Sequence, residues 1–169
     1  MKITLFMAMS LNGIIARDNY KEDFLSDYDW NVFCKEANEI GCFVMGRKTY
    51  EIITKSKDYN LNKIKNVVKI IVSRNESHKN KFYFAKSPKE SINLAKKFGF
   101  KNILLAGGGN TNSEFMKLNL VNEIILNIDP VILGKGIRLF KEDNFESKLK
   151  LIHIKKLKYN IIQLHYKVK

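Results

Sequence analysis

A chain of 169 residues, 45% hydrophobic and 28% charged, can pack one globular domain and is short for two of typical size, so residues 1–169 are expected to form a single domain. Its net charge of +13 raises a nucleic-acid partner, but the excess is lysine scattered along the chain without interleaved aromatic residues. A solvated basic face is the better reading, and no nucleic-acid partner is expected. No apolar run approaches the roughly 20 residues of a membrane span, and the first ten residues alternate like a strand rather than a signal peptide. Cys34, Cys42, His78, His153 and His165 show neither CxxC spacing nor clustering. A cytoplasmic protein with no membrane partner, no metal and no disulfide is expected.

In chain order, residues 2–9 predict a strand, Ser10-Leu11-Asn12-Gly13 a turn, 14–16 a short apolar step and 17–23 a polar surface loop. Trp30, Phe33, Cys34, Ala37 and Ile40 recur at helical spacing, which predicts a helix over 25–40 that Ser26 or Asp27 caps and Gly41 ends. Residues 42–45 predict a short buried strand broken at Gly46, with a helix beginning over 48–53. Two further strands are expected at 67–72 and 82–85, after which Pro88 opens a helix that runs up to Gly99. A strand over 102–106 leads into three glycines, a helix to about Leu118 capped by Asn110 or Thr111, and a strand over 121–128. Pro130 to Gly136 reads as an ordered loop. The chain closes with a hairpin of 149–157 and 161–168, its first strand half exposed. Strands alternating with helices predict an α/β fold in three layers, α-β-α, with a mostly parallel central sheet and the antiparallel C-terminal hairpin at one edge.

Chemistry concentrates where strands end. Gly107-Gly108-Gly109 lies between an apolar strand and a helix start, where backbone N–H groups can approach an anion and the helix dipole favours it. Met45-Gly46-Arg47-Lys48-Thr49 repeats that logic with two cations, and Ser73-Arg74-Asn75 follows a third strand. Arginine occurs only at Arg17, Arg47, Arg74 and Arg138, and its bidentate fork suits phosphate. Each turn alone could be ordinary turn chemistry. Together, at the carboxyl ends of strands, they point to an extended ligand with several phosphates, such as a dinucleotide. In the first turns of the helix after residue 25, Asp29 and Phe33 are spaced to share one helical face. Asp27 fits the competing role of a helix-dipole acid better than Asp29 does.

The order and separation of Met45-Gly46-Arg47-Lys48-Thr49, Ile71-Val72-Ser73-Arg74 and Ala106-Gly107-Gly108-Gly109, with the opening Met7-Ala8-Met9-Ser10-Leu11-Asn12-Gly13-Ile14-Ile15-Ala16, resemble the dihydrofolate reductase superfamily over nearly the whole chain. The segment from Pro130 to Phe140 is similar to the branch containing the riboflavin-pathway reductase domain. The resemblance implies a dihydrofolate reductase-like fold and NADPH as cofactor. Arg47, Lys48, Ser73 and Arg74 match positions around the adenosine 2′-phosphate. Thr49, Gly108, Gly109, Asn110 and Thr111 match the pyrophosphate cradle, Gly46, Ala106 and Gly107 are further cofactor-binding candidates, and a cis peptide is implied at Gly107-Gly108. Ala8 and Ile15 match the nicotinamide positions. On the substrate side Asp29 matches the carboxylate that anchors a heterocycle by its N–H and NH₂ edge, hence the catalytic assignment. Phe33 matches the aromatic packed on that ring, Phe6, Met7 and Ala8 are further substrate-binding candidates, and Asn127 lies near the family's threonine that supports the substrate acid through water. Asn112 stands where the family has a tyrosine near the nicotinamide.

The implied activity is hydride transfer to a C=N bond of a pterin-like substrate, with dihydrofolate the first expectation. The alternatives are a riboflavin-pathway pyrimidine reductase, whose substrate carries a ribosyl phosphate and whose branch is compatible with a homodimer, and a nucleotide-binding module without catalysis. Either enzyme would take a small-molecule heterocyclic substrate.

Overall fold

The computed structural model describes residues 1–56, 59–75 and 82–169; His78 lies outside them. Fourteen strands and α-helices follow in chain order among these residues: β1 (Lys2–Ser10), β2 (Ile14–Ala16), α1 (Asp27–Ile40), β3 (Cys42–Gly46), α2 (Arg47–Lys55), β4 (Val68–Val72), β5 (Phe82–Ala85), α3 (Pro88–Lys97), β6 (Asn102–Leu105), α4 (Gly109–Lys117), β7 (Glu123–Asp129), β8 (Ile137–Arg138), β9 (Leu149–Lys156) and β10 (Ile162–Val168). Eight strands form one sheet in the order β5-β4-β3-β6-β1-β7-β10-β9. The pairs from β5 through β7 are parallel, and β10 joins β7 and β9 antiparallel. The short strands β2 and β8 pair separately. This is the expected α/β fold with its antiparallel end.

Side-chain alternation sorts the sheet into two faces. Ile3, Leu5, Val44, Ile70, Ile103 and Leu105 pack with Ile92 and Ala95 of α3 and Phe115 and Met116 of α4. Phe6, Phe43, Met45, Ile71 and Leu104 point the other way, onto Cys34 and Ala37 of α1 and Ile53 of α2. The strand interiors are apolar on both sides because helices cover both, and the carboxyl ends of β1, β3, β4 and β6 emerge together at one rim.

Local signals set most element ends. α1 stops at Gly41, whose φ of 80° suits a residue without Cβ, and whose N–H reaches Ala37 O. α3 starts with Pro88 in its first turn and Ser87 as N-cap, its hydroxyl accepting from the Glu90 N–H at 3.2 Å. Two capping expectations fail. α4 begins at Gly109 with Gly108 as N-cap, so Asn110 and Thr111 lie inside the helix. Ser26 does occupy the N-cap of α1, but its hydroxyl donates to Asp29 Oδ2 at 2.8 Å instead of accepting from the backbone. The predicted half exposure of the penultimate strand also fails. Every residue of β9 is exposed, because it is the sheet edge and no helix layer reaches over it. The loop from Pro130 is ordered as expected, held by Leu11 N–H to Val131 O at 2.8 Å and Asn12 Nδ2 to Leu133 O at 2.6 Å.

The segment after β8 fastens the start of α4. Asn112 Nδ2 donates to Leu139 O at 2.9 Å, and the Ser113 hydroxyl donates to Lys141 O at 2.8 Å. A Cβ on Gly109 would stand 2.5 Å from the Arg138 carbonyl oxygen, a backbone atom that cannot yield cheaply, whereas a Cβ on Gly134 would meet nothing within 4 Å. Gly109→Ala should therefore lower stability by about 1–3 kcal/mol, and Gly134→Ala should stay within about 0.5 kcal/mol of the parent chain. Urea midpoints of the two variants check this, and equal midpoints would refute the close approach.

Candidate active site

The rim is built by glycines that let two helix starts converge. Gly46 N–H donates to Gly107 O at 2.8 Å, and a Cβ on Gly46 would lie 2.2 Å from Thr111 Oγ1. Gly107 has φ 81°, a Cβ there would fall 2.8 Å from Met7 Sδ, and the Gly107-Gly108 peptide is cis. The N-caps of α2 and α4 are Gly46 and Gly108, and neither helix receives a side-chain cap. Their first-turn amides are thus left for a ligand or water. Arg47 and Lys48 stand in the first turn of α2, where both pair with Glu51, Arg47 Nη1 at 2.6 Å and Lys48 Nζ at 3.7 Å. Ser73 Oγ accepts from the Asn75 N–H at 3.4 Å just after β4.

These turns open into a cavity of about 1740 Å³, more than a single drug-sized ligand fills. Arg47, Lys48, Thr49, Ser73 and Arg74 line it, together with Gly46, Ala106 and Gly108 to Thr111. Ala8 and Ile15 line it as well. Gly107 does not, since its role is to pack on Met7. Two uncapped helix starts beside cations are the donor set that a pyrophosphate and a further phosphate require, so the residues present fit NADPH. Asn112 is withdrawn from the cavity: it is fully buried, donates to Leu139 O, and leaves Oδ1 without a partner. It does not take the place of a tyrosine against the nicotinamide.

The opposite end of the cavity is acidic and aromatic. Asp29 is only 4% exposed yet lines the cavity, as do Phe6, Met7 and Phe33. Phe33 packs on Phe6, Trp30 and Phe43 with ring centroids 6.0, 5.3 and 5.4 Å apart, so one turn of α1 delivers both the acid and the aromatic wall. Asp27 is exposed at the helix start, as its dipole role predicts. Asn127 is fully buried behind Asp29 and does not line the cavity; its Nδ2 donates to Asp29 Oδ1 at 2.8 Å. Gln163 of β10 completes the relay, its Nε2 donating to Asn127 Oδ1 at 2.9 Å. The 17–23 loop supplies Tyr20, Lys21, Glu22 and Asp23 to the wall, and the Tyr59 hydroxyl bonds Glu22.

Sequence reasoning missed Asp129. It is 4% exposed, on the α1 side of β7, with Oδ2 unpartnered. Burial, followed by the neighbouring Asp29 carboxylate, pushes its carboxyl up to about 7, against a Ser26 backbone hydrogen bond that lowers it. The expected strand ended at 128, one residue short. The two-residue alternation Ile125, Asn127, Asp129 was the available signal, because Ile125 packs on the α1 face and the other two must follow it there.

A family model, the RibD C-terminal domain, matches residues 1–162. The chain belongs to that family. The uncharacterized protein YwjB of Bacillus subtilis strain 168 is 28% identical over 173 residues, spanning 98% of this chain and 97% of its own. The fold matches a candidate riboflavin biosynthesis protein of Shewanella sp. PV-4 with TM-score 0.81 and 22% identity, covering 100% of this chain and 99% of the other. It also matches a diaminohydroxyphosphoribosylaminopyrimidine deaminase/5-amino-6-(5-phosphoribosylamino)uracil reductase of Thermotoga maritima with TM-score 0.74 and 16% identity, covering 99% of this chain and 56% of the other. At such identities the structural likeness is one of fold. The RibD C-terminal domain family has the dihydrofolate reductase-like fold, and membership places the chain on the riboflavin branch. The expectation of dihydrofolate as first substrate finds no support in these matches, and the alternative is the better backed.

Asp129 makes stability depend on pH. Its carboxyl holds a proton to about pH 7 when folded and has an ordinary value of 3.8. The stability this proton contributes is complete below about pH 4 and is lost as pH climbs to about 7, a change of up to roughly 4 kcal/mol. Asp129→Asn removes that titration, so its urea midpoint should exceed that of the parent increasingly from pH 5 to pH 8. A gap independent of pH would refute the assignment.

Proposed function

We propose that this chain is an NADPH-dependent reductase of the riboflavin-pathway type, which adds hydride to a C=N carbon of an aminopyrimidine carrying a ribosyl phosphate, or of a close analogue. The reading rests above all on one cavity with two chemically opposite ends: uncapped helix starts with cations at the rim, and a buried carboxylate among aromatic rings at the floor. NADPH when bound supplies the hydride; the chain supplies orientation and proton handling. The amides of Gly109 and Arg47 and the side chain of Thr49 would hold the pyrophosphate, with Arg47, Lys48, Ser73 and Arg74 around the 2′-phosphate. Asp29 would accept two hydrogen bonds from the ring's N–H and amino edge and fix its angle to the nicotinamide.

A ribosylamine in its open form contains a C=N bond, so this substrate class offers the acceptor that the geometry suits. Its phosphate needs cations away from the rim. Lys21 and Lys55 line the same cavity. The carboxylates Glu22 and Asp23 beside Lys21 favour a donor-rich ring over a polyanionic one at the floor.

Loss of NADPH absorbance with 5-amino-6-(5-phosphoribosylamino)uracil, set beside dihydrofolate, tests the reading. Turnover of the first and not the second is expected, and turnover of neither would favour a binding module. Asp29→Asn should lower kcat/KM at least about 100-fold while NADPH affinity changes less than about threefold. Arg74→Ala should weaken NADPH about tenfold or more and NADH hardly at all, since a charged hydrogen bond to the extra phosphate is lost. Equal loss for both cofactors would displace the 2′-phosphate corner from Arg74.

A further inference from the structure

We infer that Asp29 and Asp129 hold one proton between them at neutral pH, making Asp129 a positioning residue through which the cavity-facing Asp29 is kept supplied with a proton. The role in reduction rests on the reductase reading above; the sharing itself does not.

Both carboxyls are 4% exposed, one from the first turn of α1 and the other from the last residue of β7. Their partners divide unequally. Asp29 accepts from the Ser26 hydroxyl at Oδ2 and from Asn127 Nδ2 at Oδ1. Asn127 can only donate there, because Gln163 Nε2 occupies its Oδ1. Among the described residues, Asp129 Oδ2 has no hydrogen-bond donor. A buried carboxylate oxygen without a donor is costly, and two adjacent buried carboxylates cannot both carry charge cheaply. One proton on Asp129 removes both costs: the orphaned oxygen becomes an O–H that donates to Asp29, and the pair carries a single charge. Asp29, already surrounded by donors, is the member suited to the anionic form.

The groups facing the pair are Ser26 on the α1 side, Asn127 on β7 and Gln163 on β10, which are neutral. The forces acting on Asp129 are burial, the Asp29 charge and the Ser26 amide. In the reaction, hydride adds to the carbon of the C=N bond and the bond's electron pair passes to nitrogen. Asp129 passes its proton to Asp29, Asp29 gives that proton to the nitrogen, and water entering the cavity returns one proton to the pair. Each cycle consumes one hydride and one solvent proton.

Carbon-13 labelling of the aspartate carboxyls, followed by NMR against pH on the chain without cofactor or substrate, tests the sharing directly. A carboxyl titrating near pH 7 is expected in the parent, absent in Asp129→Asn, and moved to lower pH in Asp29→Asn. If no carboxyl titrates above pH 6, or if Asp29→Asn leaves the midpoint in place, the pair does not share a proton and the inference is overturned. With whichever substrate is turned over, kcat/KM of the parent should fall as pH rises past that same midpoint. Asp129→Asn should lose this alkaline limb and run at least about tenfold slower at pH 7, with NADPH affinity unchanged. Parent-like rate and limb in Asp129→Asn would remove Asp129 from the reaction. Absence of turnover with an intact titration would count against the reductase reading alone.

Discussion

The close approach of backbone at the carboxyl ends of β3 and β6 is the constraint from which the site follows. Gly46 and Gly107 bond directly, Thr111 Oγ1 occupies the space where a Gly46 side chain would begin, and Gly109 sits against the Arg138 carbonyl. Any Cβ at these positions would part the strands or lift α4 from the segment that fastens it. Because the approach is close, the starts of α2 and α4 face one volume, and because glycine fills both N-caps, neither start is satisfied by its own chain. A side-chain cap stabilises a helix by about 1 kcal/mol. Forgoing it twice at one spot leaves donors whose natural complement is an anion.

The other half of the cavity obeys the converse rule. At the rim, donors wait for charge; at the floor, charge has been gathered and donors are scarce. Ser26, Asn127 and Gln163 are spent on Asp29 in a single chain of hydrogen bonds, and Asp129 is left with an unmet oxygen. Opposite polarity at the two ends orients anything long enough to touch both. Under the proposed function, phosphates would favour the rim and an N–H-rich ring the floor, and the reactive parts of two ligands would meet near Ala8 and Ile15, which line the cavity.

What could be read beforehand was local. Glycine after an apolar run marks a strand end, an acid and an aromatic four residues apart mark one helical face, and both patterns survive in the structure at Gly46, Gly107, Asp29 and Phe33. What escaped depends on residues far apart in the chain. Asn127, expected near the substrate acid, bonds Asp29 directly across 98 positions, whereas Asp129, which was missed, joins them only because β7 extends one residue further than its apolar pattern. The caps were misread for a related reason. Ser26 has the right residue type at the right position, yet a buried carboxylate three residues on is a stronger acceptor for its hydroxyl than any competing arrangement, and helix propensity carries no knowledge of that burial. β9 alternates like a half-buried strand, but exposure is decided by whether a layer lies over it, and every residue of this edge strand is exposed.

The same separation of scales explains why the fold was clearer than the substrate. The proposed cofactor contacts are backbone amides and strand-end cations, which short motifs specify almost completely. The candidate substrate end is lined by side chains from α1, β1 and the 17–23 loop, whose joint geometry exists only after the sheet has assembled. A single exchange on β7 can therefore change what the floor accepts without disturbing the rim. A neutral partner in place of Asp129 would leave Asp29 as a lone carboxylate while every glycine turn stayed as it is.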